Sequence, residues 1–398
     1  MKTIRNRQIV AAAVAGALLA PTALFAQSNV TISGRLTMTF DNVKIKNRAG
    51  RNSETALNDN TSYIRFNITE DLGNGLQAIA QVETRNQLDT GSFSASGTNF
   101  VGLRSNSLGA LRFGRENLHY FHRESDMFAK GGSLRGDSIG ILAYGNGGAT
   151  AIANATRTAN SIVWASPNWK GLTLNLAHST QPNSTGGAEA DIGSPVRKGR
   201  AWNLNPNYKG SNFQVGYSYW DAKSDGAFAG LGAPAILSGA LFGTPAGLDQ
   251  RSHRFYGSYR WGSFKAGLVV DDSRMHAVTA AARGEISDRS AWSVPLEYVI
   301  GPHSFFVEYS KADNDKAAPF AGLDTRANLA NLTYVYSLSK RTAVSLNYAR
   351  VDNGRNAFYS LYTSRNGTQD PLGVASTGPN PNAGEDQRAV GAAISHYF

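Results

Sequence analysis

Five arginines, Arg35, Arg65, Arg85, Arg104 and Arg112, stand in the polar phase of segments whose other phase is apolar. A guanidinium stays charged throughout the physiological range and carries five donors in a rigid fork, so a row of them facing water attracts and orients anions. The acids sharing that phase are fewer, among them Glu83, Glu297 and Glu308. Other residues raise catalytic readings. Gly136-Asp-Ser-Ile-Gly140 has the spacing of an esterase elbow, which would make Ser138 a nucleophile on a strand-to-helix turn. Met127 to Arg135 do not read as the buried strand that such an elbow needs, so no catalytic residue is assigned. A Ser138 hydrolase stays as an alternative. His119 and His122, near Glu124 and Asp126, read as solvated loop residues before they read as metal ligands. Gly73-Asn-Gly75 lies between two alternating runs, where a hairpin explains its glycines better than a dinucleotide loop does. Neither a metal nor a cofactor is expected.

The elements that must carry these side chains alternate with period two. Val30, Ile32, Leu36, Met38 and Phe40 oppose Thr31, Ser33, Arg35, Thr37 and Thr39; Ile64, Phe66 and Ile68 oppose Tyr63, Arg65 and Asn67. Seven tight connections are legible: Asp71 to Gly75, Ser105 to Gly109, Pro167 to Gly171, Pro206 to Gly210, Arg260 to Ser263, Ile300 to His303 and Ser337 to Arg341. Seven hairpins, an opening strand near Val30 to Phe40 and a closing one near Gln387 to Phe398 predict sixteen strands, an even number that closes on itself. Long polar segments centred near 41 to 61, 86 to 97, 116 to 157, 180 to 199, 221 to 250, 272 to 288, 311 to 325 and 351 to 385 separate the hairpins. The apolar phases carry no charge, as lipid contact requires, since a Lys or Arg at the bilayer midplane costs about 2–4 kcal/mol. Trp169, Tyr208 and Trp261 lie at the tight turns, where an aromatic girdle would sit. The fold class is therefore all-β: a transmembrane antiparallel 16-stranded β-barrel, one domain over residues 27 to 398.

Residues 1 to 26 are a different text. Lys2, Arg5 and Arg7 precede the apolar stretch Ile9 to Ala20 and the small-residue end Pro21 to Ala26, the plan of an export signal peptide. The chain has no Cys, which excludes disulfide scaffolds, thiolate metal sites and thiol nucleophiles. Beyond the signal, no run reaches the roughly 20 apolar residues of a spanning helix. The net charge of +10 is dispersed rather than clustered with aromatics, so no nucleic acid is expected as a partner. Lys44, Lys46, Arg48 and Arg51 are placed to meet lipopolysaccharide phosphates.

Asn29-Val-Thr-Ile-Ser-Gly34, Ile68-Thr-Glu-Asp-Leu-Gly-Asn-Gly-Leu76, Val101-Gly-Leu-Arg-Ser-Asn-Ser-Leu-Gly109, Leu111-Arg-Phe-Gly-Arg115 and the terminal His396-Tyr-Phe398, in that order, resemble the sixteen-stranded trimeric general porins of Gram-negative outer membranes. The resemblance runs from Asn29 to Phe398. It implies a homotrimer in the cell outer membrane, with short periplasmic turns and long extracellular loops, that passes small hydrophilic solutes by passive diffusion. It implies that the third long loop, 116 to 157, folds inward as a constriction, with Glu116, Glu124 and Asp126 as the loop acids facing a basic wall of Arg35, Arg65, Arg85, Arg104 and Arg112. It also implies that Tyr397 and Phe398 form an insertion signal read by the outer-membrane assembly machinery. The expected selectivity is a mild preference for anionic solutes. An adhesin or structural barrel is the remaining alternative, and it would show no steady conductance.

Overall fold

The computed structural model describes residues 29–46, 48, 52–60, 62–119, 137–142, 157–180, 199–224, 247–278, 283–361 and 383–398. Eighteen strands make a single sheet: β1 (Asn29–Lys46), β2 (Ser53–Asp59), β3 (Tyr63–Gly73), β4 (Leu76–Gln87), β5 (Ser92–Ser94), β6 (Asn99–Ser105), β7 (Gly109–Asn117), β8 (Arg157–Ala165), β9 (Leu172–Ser179), β10 (Gly199–Lys209), β11 (Phe213–Ser224), β12 (Gly247–Trp261), β13 (Phe264–Val278), β14 (Arg283–Ile300), β15 (His303–Ala312), β16 (Ala327–Ser337), β17 (Thr342–Asn353) and β18 (Asp386–Tyr397). Both β2 and β3 pair with β1, and both β5 and β6 pair with β4, so each couple is one wall strand broken in the middle. Sixteen wall strands remain. β1 bonds to β18 along Arg35–Tyr397 through Lys46–Asp386, which closes the barrel.

The two side-chain phases separate as the alternation predicts. Phe40, Val101, Phe255 and Leu346 are each about three-fifths exposed (59%, 62%, 60% and 60%) and point outward, whereas Thr37, Thr39, Asn203, Ser218, Ser252 and Arg254 are buried on the inner side. So many exposed large apolar side chains on one continuous face fit hydrocarbon rather than water. Trp169, Tyr208 and Trp261 lie at the short-turn rim, and Trp164, Phe213 and Phe264 join them within about 6 Å ring to ring. All seven tight connections form, with one adjustment: Pro206 falls within β10 and the turn there is residues 210–212.

At the other rim the strands run further than the alternation suggested. Segment 272 to 288 is mainly strand, with β13 continuing to Val278 and β14 starting at Arg283. Above the apolar band the outward phase becomes polar, in Asp272, Arg274 and His276, so the contrast that marks a lipid-facing strand vanishes although the ladder continues. In the same stretch the inward phase turns apolar. Val43, Val269, Ala291, Ala312, Ala327, Leu329, Ala349, Val351 and Ala389 are buried inside the barrel with Ile141 and Leu142 of the short helix α1 (Ile139–Leu142) and with Tyr359 and Leu361. The small alanines leave the room that helix and segment occupy. Long-loop segments thus fold into the barrel mouth, the third among them.

The last residue completes the wall. Gly34 N donates to Phe398 O (2.9 Å) and Phe398 N donates to Gly34 O (3.2 Å). A Cβ on Gly34 would lie 2.5 Å from Phe398 Cζ and 2.7 Å from Tyr63 O, so only glycine admits the ring beside the seam. Gly34→Ala should therefore lower barrel stability by about 1–3 kcal/mol, the usual cost of overpacking, read as an earlier thermal transition in detergent; an unchanged midpoint would refute the close packing of ring on seam.

Candidate functional site

Three of the five sequence-selected arginines converge. The guanidiniums of Arg35, Arg65 and Arg85 lie 5.7, 5.0 and 5.3 Å from the centre of the Tyr63 ring. Register explains why: Tyr63 stands opposite Arg35 on β1 and opposite Arg85 on β4, with Arg65 two residues along β3 on the same inner face. The electron-rich ring face holds cations together without cancelling their charge.

One carboxylate anchors the group. Glu83, opposite Arg65, has a fully buried side chain that receives Arg65 Nη2 at 2.6 Å, Arg85 Nη2 at 2.8 Å and Arg157 Nη2 at 2.9 Å. Arg157 also donates from Nε to Thr98 Oγ1 at 3.0 Å. A single acid shared by three guanidiniums fixes their geometry while leaving the wall net positive.

The other selected residues fall elsewhere. Arg112 is on the inner wall, 5.3 Å from the Phe100 ring, and its Nε bonds Glu116 Oε1 at 2.9 Å. Glu116 therefore sits in β7 and pairs along its own strand. It is not a loop acid facing the arginines across a gap. Arg104 bonds Gln77 Oε1 at 3.0 and 2.7 Å beside the short turn, away from the cluster. Glu124, Asp126 and His122 lie outside the described residues, as do Arg51 and residues 1 to 26. Tyr397 pairs with Arg35, and Phe398 closes the seam at Gly34. Arg157, Tyr63 and the pivotal place of Glu83 escaped the sequence reading, although counting outward from the Gly73-Asn-Gly75 turn sets Arg65 against Glu83.

A second polar cluster holds the third loop. His119 is wholly buried, with Nδ1 3.0 Å from Ser218 Oγ on β11 and Nε2 2.9 Å from Ser252 Oγ on β12. Arg254 donates from Nη1 to His119 O (3.4 Å) and from Nε to Asp271 Oδ2 (2.8 Å), and Ser252 Oγ also donates to Asp271 Oδ2 (3.2 Å). Further along, Arg289 donates to Ile141 O at 2.8 Å and Leu142 O at 3.0 Å, meeting the free carbonyls at the C-terminus of α1. Both ends of the loop's described parts are thus tied to the inner faces of β11 to β14. His119 is thus not solvated but buried, and it acts as a docking residue. Ser138 is fully buried, and its hydroxyl oxygen has no hydrogen-bond partner among the described residues, so no base among them activates it.

Burial, reinforced by the Arg254 guanidinium and opposed by Asp271, pushes His119 down to about 4. An undocked imidazole titrates near 6.5. Docking of the loop should hold full strength above that pH and weaken as pH falls toward 4, by about 3 kcal/mol in all. Hydrogen exchange of the 117–119 and 137–142 amides measures this; His119→Gln should abolish the pH dependence, and retained dependence would assign it to another group. Asp271→Asn leaves Arg254 buried without its carboxylate and should destabilise the barrel by about 3–5 kcal/mol, visible in the same thermal transition.

Comparison with known proteins places this architecture. The family model for Gram-negative porins matches residues 10–356. A curated relative, an outer membrane porin protein of Bordetella pertussis, is 29% identical over 122 residues, and the aligned part spans 29% of that relative's length. The anion-selective porin from Comamonas acidovorans superposes with a TM-score of 0.71 at 21% identity, covering 94% of this chain and 100% of that one. The trimer form of OmpT, an outer membrane protein of Vibrio cholerae, superposes at 0.64 with 13% identity, covering 93% and 99%. At those identities the two structures speak for the fold. Closed barrel, lipid-facing apolar phase, polar lumen and the matched family together make this chain a member of the Gram-negative porin family, an outer-membrane channel protein.

Proposed function

We propose that the chain forms a water-filled pore for passive diffusion of small hydrophilic solutes, with a preference for anions, and that it works as a homotrimer. The observation that carries the selectivity is the inner wall of β1, β3, β4, β7 and β8. Five guanidiniums there, Arg35, Arg65, Arg85, Arg112 and Arg157, outnumber the three buried inward carboxylates Asp41, Glu83 and Glu116. Inside low-dielectric walls such an excess raises the local anion concentration, and the loop docked on β11 to β14 brings that wall closer to whatever passes. The similar fold of a protein described as an anion-selective porin agrees with this reading, as the trimer form of OmpT agrees with the trimer.

Residues 1 to 26 serve as the export signal, the part of 116 to 157 that lies between β7 and β8 forms the constriction segment, and Tyr397 and Phe398 present the end of the last strand to the assembly machinery. Phe398 suits that task, since its ring is partly exposed on the outer face at the seam where β18 meets β1.

Planar-bilayer recording tests the reading. The purified protein should conduct in three equal steps per insertion, with a reversal potential displaced toward the anion equilibrium. Arg65→Glu with Arg85→Glu should move that potential toward cation selectivity, by more at low salt than at about 1 M because screening shortens the field. No steady conductance would leave an adhesin or structural barrel, and an unmoved reversal potential would remove the basic wall.

A further inference from the structure

The sheet is broken beside the basic cluster, and the break lies over the cluster's acid. Toward the short turn β4 pairs with β6, from Leu76–Ser105 to Gln81–Phe100; toward the long loop it pairs with β5, from Arg85–Ser94 to Gln87–Ser92. Between the two pairings Val82, Glu83 and Thr84 face the longer run from Ala95 to Asn99, so residues are left over on the partner side.

That surplus folds against Glu83. Asn99 Oδ1 accepts a bond from Glu83 N at 2.9 Å, which stands in for the lost ladder bond, and Asn99 Nδ2 donates to Ala95 O at 2.8 Å and to Gly97 O at 3.1 Å. Thr98 ties the segment to the wall: its carbonyl accepts from Gln81 Nε2 at 3.1 Å and its Oγ1 from Arg157 Nε at 3.0 Å. Gly97 is buried between these ties. A Cβ on it would lie 2.2 Å from Glu83 O, 2.6 Å from Glu83 Cβ and 2.7 Å from Glu83 Cγ, so bare backbone rests on the glutamate stem. At the other end of that stem the carboxylate is filled. Oε2 takes Arg65 Nε and Nη2 at 3.1 and 2.6 Å, and Oε1 takes Arg157 Nη2 at 2.9 Å with Arg85 Nη2 at 2.8 Å. These nitrogens match the acceptor capacity of a carboxylate.

We propose that the 95–99 segment of the second long loop is a cover that keeps the Glu83 carboxylate out of contact with the channel water, with Gly97 as its positioning residue. Gly97 touches no solute and acts through Glu83. A carboxylate open to the lumen would be met by cations at the place where the wall gathers anions. A covered one orders Arg65, Arg85 and Arg157 from behind and leaves guanidinium surface toward the water. Exposure follows that division: the side chains of Arg65 and Arg85 keep 34% and 24% of their surface, and that of Glu83 keeps 0%. The proposal deepens the reading of the channel as an anion pore and rests on it for selectivity alone, because the cover itself is a matter of access.

Carbodiimide coupling of a small amine to the whole folded protein, followed by peptide mass spectrometry, reads that access. Asp71, exposed at the short turn, should be modified and Glu83 should not, and Gly97→Ala should open Glu83 to the reagent. In planar bilayers Gly97→Ala should lower the anion-to-cation permeability ratio by up to about fivefold at low salt, the contact attraction of one carboxylate for a cation in water. Adding Glu83→Gln should then restore the ratio, which repair of mere misfolding would not do. Modification of Glu83 as fast as Asp71 in the unaltered protein would overturn the cover. A ratio that Gly97→Ala leaves in place, or that Glu83→Gln fails to restore, would overturn the role of Gly97 in selectivity. If Gly97→Ala does not fold, Thr98→Val, which drops only the Oγ1 bond to Arg157, takes its place. Absence of anion preference in the unaltered protein would refute the pore reading, and the labelling would then judge the cover by itself.

Discussion

Hydrocarbon offers no partner to a peptide group, and that constraint shapes the rest of the molecule. Every N–H and C=O in the spanning region must be satisfied within the sheet, so the sheet must close. Closure is made by β1 against β18 and finished by the two hydrogen bonds between Gly34 and Phe398. Once the sheet is closed, period two sends each side chain either to lipid or to the lumen. The ladder thereby gives the inner wall its polarity: what cannot face lipid must face the hole.

Where the strands leave the bilayer the same alternation serves a second purpose by reversing. In β1 the outward phase runs from Phe40 to Lys44 and Lys46 while the inward phase passes from Thr39 and Asp41 to Val43 and Ile45; β17 does likewise between Leu346 and Val351. The inward apolar patch at the mouth gives α1 and the segment around Tyr359 and Leu361 a dry surface. Burying a helix this short also requires its terminal carbonyls to be met, and Arg289 supplies the donors. Hydrophobic burial brings these segments in, and the Arg289, His119 and Arg254 bonds set their register against the wall.

Much of the fold was legible because its signal is local. Alternation and Gly- and Asn-rich turns mark each hairpin, and the count of sixteen follows from them. Strand ends at the mouth were not legible: reversal makes β13 beyond Asp272 and the start of β14 look like polar loop. Candidate residues divide the same way. Arg65, Arg85 and their acid Glu83 follow from one turn register, yet ranking Arg104 beside them ignored its height, since it bonds Gln77 at the opposite rim. The docking of His119 on Ser218 and Ser252 joins residues about 100 apart or more, through loop packing that no periodicity encodes.

The use of an aromatic ring at the centre of the basic cluster follows from a conflict. Arginines close enough to act on one passing anion repel one another, and pairing each with its own carboxylate would leave no net field. Glu83 orders three guanidiniums for one negative charge, and Tyr63 gathers Arg35, Arg65 and Arg85 for none. A cation held over a π face keeps its full charge and some unused donors. Replacing that ring with a carboxylate would order the cluster at least as well but take one charge from its positive excess, so in the proposed anion pore the ring is the choice that leaves more charge over.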